Sequence, residues 1–90
     1  MNNNTISAFH IWSNKNGVIK LNTNTLYNWH IPKNLRVEPI QSGDIVLVQT
    51  QKGLKHVLVM NVFREELEEA NNRYERVFKI IERAPQKLEI

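Results

Sequence analysis

The chain has 90 residues, a formal net charge of +3 and no cysteine. A chain of this length forms one domain and buries only about 60 to 65% of its unfolded surface, which leaves little room for a deep substrate cleft. The absence of cysteine excludes disulfides, thiolate nucleophiles and cysteine-based zinc sites, and is compatible with a reducing cytosol. Because the sequence shows neither a signal peptide nor an apolar run of about 18 residues, we expect a soluble cytoplasmic domain with no membrane contact.

The basic residues are concentrated in the first two-thirds of the chain. Up to Val62, six lysine or arginine residues face two acidic ones, a net charge of +4. From Phe63 onward six face seven, a net charge of −1. The first part can therefore present a basic surface, although an ordinary solvated surface explains the same distribution.

The N-terminal part of the chain predicts a hairpin. Residues 1–4 are polar, so we expect them to be disordered. Residues 6–12 are rich in β-branched and aromatic side chains and predict a first strand, with His10 and Trp12 on one face. Residues 13–17 predict a turn, because asparagine and glycine tolerate positive φ.

Two further strands are expected before the centre of the chain. A short strand over residues 18–21 completes the hairpin, and residues 22–24 predict a second turn. Residues 26–31 then predict a third strand, which ends at Pro32 because proline lacks an amide N–H for sheet pairing.

The central stretch over residues 43–63 is the clearest hairpin in the sequence. Two apolar, β-branched runs at 45–48 and 57–60 flank the polar segment 51–53. Gly43 suits a tight start to the first of these strands. The runs are almost continuously apolar, which indicates burial on both faces and therefore a strongly curled sheet or small barrel.

The C-terminal part adds one helix or loop and one strand. Residues 64–74 carry apolar residues at helical spacing beside a glutamate run, which favours a short helix or a structured loop. Residues 77–81 predict the final strand. The predicted fold is mainly β: a small SH3-like barrel or strongly curled antiparallel sheet of about five strands, spanning residues 5–83, with 84–90 as a tail.

The chemistry-bearing residues do not predict an enzyme. His10, His30 and His56 lie in three separate candidate strands without the local spacing that metal ligands need, so we expect no metal or other cofactor. The serines lack the glycine-framed turn of a nucleophile elbow. The glutamate run is typical of a solvated helix face, because catalytic carboxylates need unequal burial to separate their pKa values. We therefore expect a non-catalytic protein.

Aromatic residues interleaved with basic ones carry the functional prediction. Bases stack on aromatic rings while neighbouring cations neutralise phosphates, a combination that small barrels use to hold single strands. A domain this small also needs large rings in its core, so Phe9, Trp29 and Phe78 are expected to be buried. The candidate nucleic-acid-binding residues are Trp12, Lys15, Lys20, Tyr27, His30, Lys33, Arg36, Lys52 and Lys55.

The order of elements in the middle of the chain resembles that of a known domain. The residues concerned are 27–35, 43–48, 52–53 and 57–59. The order of aromatic strand, proline, short crossover, Gly-Asp strand, Lys-Gly turn and valine-rich strand resembles the N-terminal DNA-binding domain of primosomal replication-restart helicases. Most of the chain also resembles small uncharacterised phage and mobile-element proteins of Gram-positive bacteria. These resemblances imply a fold and a bacterial host cell, and no binding residue is carried over from them.

Three functions remain open from the sequence. The first is binding of nucleic acid, single-stranded or with weak sequence specificity. The second is a protein-interaction module of phage type that inhibits or modulates a host or phage enzyme, with exposed apolar strands, Met60 and Tyr74 as contacts. The third is self-association, in which a second copy covers the apolar runs.

Overall fold

A computed structural model describes residues 3–65 and 74–84 of the chain. Within these residues no helix is long and apolar enough to cross a bilayer. The strands form one antiparallel sheet with the spatial order β2-β1-β4-β3-β5. The elements are β1 (Thr5–Lys15), β2 (Val18–His30), a 3-10 turn (Lys33–Leu35), β3 (Ile45–Thr50), β4 (Gly53–Phe63) and β5 (Val77–Glu82).

The mainly β fold with five antiparallel strands is thereby confirmed. The described residues contain almost no helix. Most of the helix or loop predicted at 64–74 lies outside them, since only Arg64, Glu65 and Tyr74 are described and none of these is helical.

Strand β2 differs from the sequence prediction. The turn predicted at residues 22–24 is wrong as a strand boundary, because 18–21 and 26–30 belong to one strand that pairs with β1 on both sides of an irregularity. The local turn chemistry is present, since the Asn22 side-chain oxygen accepts a hydrogen bond from the Asn24 amide at 3.1 Å. Residues 23–26 form a four-residue bulge opposite Phe9, and pairing then resumes.

The core lies on one face of the sheet, which we call the inner face. Alternation along β3 and β4 places two valines of each strand there. The neighbouring strands and the crossover, residues 31–44 between β2 and β3, complete the cluster. The buried members are Ile6, Ala8, Trp29, Ile31, Ile40, Val46, Val48, Val57, Val59 and Val77. The outer face is covered less completely: Ile45 is buried, whereas Leu47 and Leu58 are half-buried.

The three rings that were expected in the core have different environments. Trp29 is buried and Phe9 is half-buried, but Phe78 is 54% exposed. The prediction is wrong for Phe78 because it follows Val77, whose side chain is buried on the inner face, so that strand alternation turns Phe78 away from the core. The prediction rested on ring size, whereas alternation decides which face of a strand a ring occupies.

The sheet curls until its two edges meet at one corner. The His30 amide donates to the Glu75 carbonyl at 2.9 Å, so the end of β2 touches the residues that precede β5. The Gln49 amide donates to the Arg76 carbonyl at 3.0 Å, which joins the same segment to the end of β3. The sheet is not closed into a barrel, and the strongly curled form of the prediction is the one observed.

A buried aspartate fixes the opposite end of β5. Asp44, 1% exposed, accepts hydrogen bonds from the Ala84 amide at 2.7 Å and from the Gln41 amide at 3.0 Å. Its carboxylate also accepts a charge-assisted bond from Arg83 at 3.2 Å. Gly43 has φ +95, and a side chain there would approach Ala84 to 3.0 Å, which explains the glycine at this tight start of β3.

Asn4 and Ala84, which lie immediately outside the predicted limits of 5 and 83, are both held by hydrogen bonds. Asn4 is buried, its side chain exchanges hydrogen bonds with the Glu65 backbone, and its carbonyl accepts from the Ile31 amide at 2.8 Å. Ala84 is held by Asp44. Residues 85–90 of the predicted tail lie outside the described residues.

Replacing Asp44 by alanine should lower the free energy of unfolding by about 3 to 5 kcal/mol, because the Ala84 and Gln41 amides and the Arg83 guanidinium lose their shared acceptor. Chemical denaturation measures this change. The matched control is Glu38→Gln, because Glu38 also contacts Arg83, at 3.5 Å, but its side chain is 86% exposed; it should change stability by less than about 0.5 kcal/mol. Equal effects of the two substitutions would contradict the role assigned to Asp44.

Candidate functional site

The inner face opens at one end into a pocket of about 550 Å³. It lies where the second half of β2 and the segment 74–75 face the tip of the β3–β4 hairpin. Its volume is within the range of small-ligand sites. We call it the aromatic–lysine pocket; its lining consists of His10, Tyr27, Asn28, Trp29, Thr50, Gln51, Lys52, Lys55, Tyr74 and Glu75.

Three rings pack together on one side of this pocket. The His10 ring meets Tyr27 at 5.4 Å and Trp29 at 5.5 Å between centroids, both edge-to-face, and the two larger rings are 6.0 Å apart. The strand register explains the cluster, because Tyr27 pairs with Ala8, an inner-face residue two positions before His10. Trp29 is only 4% exposed and supports the cluster, whereas Tyr27 is 47% exposed and presents its ring to solvent.

Hydrogen bonds within the protein fix the side of the pocket that these rings form. The Trp29 indole N–H donates to the Gln49 carbonyl at 3.0 Å, which links β2 to β3 across the inner face. The Asn28 side-chain oxygen accepts from the Ser7 hydroxyl at 2.7 Å, and its amide nitrogen donates to the Tyr74 hydroxyl at 3.4 Å. The rings are therefore held in a defined arrangement before any ligand binds.

The lysines come from the β3–β4 hairpin. The Thr50 hydroxyl donates to the Gly53 carbonyl at 2.7 Å and accepts from the Lys52 amide at 3.1 Å, which shapes the turn. Lys55 pairs with Val48, whose side chain is on the inner face, and thus points to the same side of the sheet. The hairpin places two ammonium groups at the pocket, and Glu75 supplies one carboxylate on its lining.

The electrostatics of the pocket keep His10 neutral. Burial lowers the pKa of His10 below its ordinary value, and the nearby positive charge of Lys55 lowers this pKa further. At pH 7 the imidazole is therefore an uncharged part of the ring cluster, and the positive charge of the pocket belongs to its lysines.

The structure brings three of the predicted site residues together. Tyr27, Lys52 and Lys55 all line the aromatic–lysine pocket. Trp12 does not join them: pairing of β1 and β2 shifts register between Ile11 and Ser13, which places Trp12 in a bulge. It lines a separate pocket of about 250 Å³ toward the outer face.

The remaining predicted site residues lie elsewhere. Lys15 and Lys20 are exposed on the β1–β2 hairpin, and Lys33 is exposed on the 3-10 turn. Arg36 donates from Nε and Nη2 to the Ile31 carbonyl, at 2.9 and 2.7 Å, and its Nη2 lies 3.5 Å from His30. Arg36 thus stabilises the chain where it leaves β2.

Several lining residues were absent from the predicted set. Alternation along β1 from the inward-facing Ala8 places His10 on the inner face. The sequence also predicted Trp12 on the same face as His10, but the bulge separates these two residues. Trp29 was assigned to the core, where it lies, and it also lines the pocket. No local sequence signal identifies Asn28 or Tyr74, because their position depends on contacts between distant residues.

The described residues contain no group of three or more histidine, aspartate or glutamate side chains placed to hold a metal ion.

A family model matches residues 1–83, and its description is a family of unknown function, DUF5839. The chain belongs to this family. No curated protein and no solved structure matches the chain.

Titration of the protein should show His10 deprotonating below pH 6.5, the value of an unperturbed histidine. The pKa of His10 is lower in the folded chain than in the unfolded chain, so the unfolded chain binds the proton more readily. The stability that neutral His10 contributes is therefore complete above about pH 6.5 and is lost as the pH falls through the folded-state pKa. Imidazole chemical shifts measured by NMR give the pKa directly. In Lys55→Gln the His10 pKa should rise toward its ordinary value, and a His10 pKa above that value in the wild type would contradict this description.

Proposed function

We propose that this protein binds single-stranded nucleic acid without catalysis, through the aromatic–lysine pocket. The observation that carries the proposal is the exposed Tyr27 ring, fixed by His10 and Trp29 and lying in one pocket with Lys52 and Lys55. A base stacked on such a ring contributes about 1 to 3 kcal/mol, and lysines beside it neutralise the adjoining phosphates. One exposed ring and one pocket of this size suit one unpaired base.

The polar groups around the rings favour weak sequence preference. Reading a base requires donors and acceptors that are available to its edge. The Trp29 N–H, the Asn28 amide and the Thr50 hydroxyl already have partners within the protein. The ligand is then held mainly by a ring face and two cations, which every base and every phosphate can use.

Tyr27→Ala should weaken binding of a fluorescent oligothymidylate by about 5- to 150-fold, the equivalent of one lost stacking contact. Lys52→Gln and Lys55→Gln should each reduce the slope of log affinity against log salt by about 0.7, because each removes one phosphate contact with a single strand. Fluorescence anisotropy from about 50 to 200 mM salt measures both effects.

Two matched variants show whether the effects belong to the pocket. Lys79→Gln removes the same charge at an exposed position of β5 and should leave affinity almost unchanged. Glu75→Gln removes a negative charge from the pocket lining and should strengthen binding, while its backbone bond to His30 is retained. Absence of binding to single-stranded DNA and RNA at low salt, or equal losses in Lys79→Gln and Lys55→Gln, would refute the proposal.

A protein-interaction function is the second candidate, and exposed apolar side chains favour it. Met60 is 44% exposed, Phe78 54% and Ile81 42%, although residues of this kind are usually covered. We propose this surface as the contact for a host or phage enzyme, or for a second copy of the chain. Tyr74, which was also predicted as a protein contact, lines the aromatic–lysine pocket and does not belong to this apolar surface.

Phe78→Asp combined with Ile81→Asp should abolish retention of a defined protein partner from a nuclease-treated host lysate, because each aspartate puts a charge into an apolar contact. Tyr27→Ala should retain that partner. Solution mass across a concentration series shows whether the partner is a second copy. Unchanged retention by the double variant, or loss of the partner on nuclease treatment, would refute this second function.

A further inference from the structure

The β1–β2 hairpin separates from the rest of the sheet after His10. Pairing of β1 with β4 runs from Thr5↔Phe63 to His10↔Val57, whereas pairing of β1 with β2 extends to Lys15↔Val18. Residues 53–56 of β4 pair with β3 alone. Residues 11–22 therefore form a two-stranded ribbon that is not paired with residues 53–56 of β4, and we call it the β-arm.

A pocket of about 250 Å³ lies between the base of the β-arm and the outer face of the sheet. Ile11 and Trp12 line it from the arm, and Ile45, His56 and Ile81 line it from β3, β4 and β5. At about 3.3 Å per residue, the five residues 11–15 extend roughly 16 Å. The arm thus offers a ligand two paired strands of this length.

The turn of the β-arm gives the ribbon a defined shape. Asn16 and Gly17 both have positive φ, +53 and +76, at the two positions between the paired residues Lys15 and Val18. A two-residue turn of this kind matches the right-handed twist of the flanking strands. The arm consequently twists in the ordinary sense beyond the bulge at Trp12.

The surface of the β-arm is exposed and carries only positive charge. Eight of the twelve residues 11–22 are exposed and none is buried. Lys15 and Lys20 are its charged residues, and the first acidic residue of the whole chain is Glu38. The remaining polar residues of the arm are serine and asparagine. A ribbon that has cations and amides but no carboxylate complements a polyanion.

We propose that the β-arm is a second nucleic-acid-binding element, which lies in a groove of a duplex with Lys15 and Lys20 on the phosphates. The major groove of B-form DNA, about 12 Å wide, admits a two-stranded β-ribbon. This inference goes beyond the proposed function, because the ligand is paired and the residues are distinct from those of the aromatic–lysine pocket. Phosphate contacts of this kind hold a protein on the duplex without reading its sequence.

A blunt-ended DNA duplex of about 20 base pairs, or two helical turns, is the probe, because it offers no unpaired base. The double variant Lys15→Gln/Lys20→Gln should reduce the slope of log affinity against log salt by about 1.8, or 0.9 for each lost phosphate contact. The matched control is Lys33→Gln/Lys79→Gln, which removes the same charge from exposed positions outside the arm and should leave the slope almost unchanged.

Tryptophan fluorescence reports contact at the arm independently of affinity. Trp12 is 69% exposed at the base of the arm, whereas Trp29 is buried, so acrylamide quenches mainly Trp12 in the free protein. Saturating duplex should reduce this quenching, and the reduction should vanish in Trp12→Phe. Equal slopes for the two double variants, or quenching of Trp12 that the duplex does not change, would overturn the inference.

The two binding elements can be tested separately. Tyr27→Ala should weaken binding of oligothymidylate and leave binding of the duplex almost unchanged. Lys15→Gln/Lys20→Gln should weaken binding of the duplex and leave binding of oligothymidylate almost unchanged. If the wild type binds the duplex but not oligothymidylate, the pocket proposal fails and the arm stands. If it binds oligothymidylate but not the duplex, the arm inference fails and the pocket stands.

Discussion

The buried carboxylate of Asp44 is the interaction on which the shape of this small sheet depends. It holds the end of β5 through the Ala84 amide and Arg83, and it also fixes the crossover through Gln41. Because β5 is a six-residue edge strand that pairs with β3 alone, these contacts stabilise an element with few others. Loss of the carboxylate would leave buried amides unsatisfied, so the cost exceeds that of an exposed ion pair.

The position of β5 links this contact to the candidate site. The residues before β5 accept hydrogen bonds from His30 and Gln49, and the same segment provides Tyr74 and Glu75 to the aromatic–lysine pocket. The pocket therefore exists because the sheet curls far enough for its two edges to meet at one corner. The stability of the edge strand and the geometry of the candidate site are coupled in this way, although Asp44 itself does not line the pocket.

Sequence patterns predicted the strands well, because strand identity follows from local composition. The valine-rich runs of β3 and β4 and the Asn16-Gly17 turn are features of this kind. The strand break predicted at residues 22–24 was wrong because the Asx turn there forms a bulge within β2. Phe78 was misplaced for a different reason, since its ring was assigned to the core by size although it follows the inward-facing Val77 on an edge strand.

The candidate site was only partly predictable for the same physical reason. Tyr27, Lys52 and Lys55 were predicted from residue type and come together because the sheet curls, whereas one bulge separates Trp12 from His10. The pattern of aromatic and basic residues indicated a kind of chemistry, and the register of the strands decided which of those residues share a surface. In this chain six of the nine predicted residues are divided between the pocket and the β-arm, and His30, Lys33 and Arg36 lie elsewhere.

The most direct test of the central claim is a map of amide and side-chain NMR shifts during titration with oligothymidylate at low salt. The account predicts that the largest changes cluster at His10, Tyr27 and Lys55, with smaller changes at the hairpin tip, and that Phe78 and Ile81 remain unaffected. Changes centred on the exposed apolar residues of β5, or no change at any residue of the pocket, would contradict it.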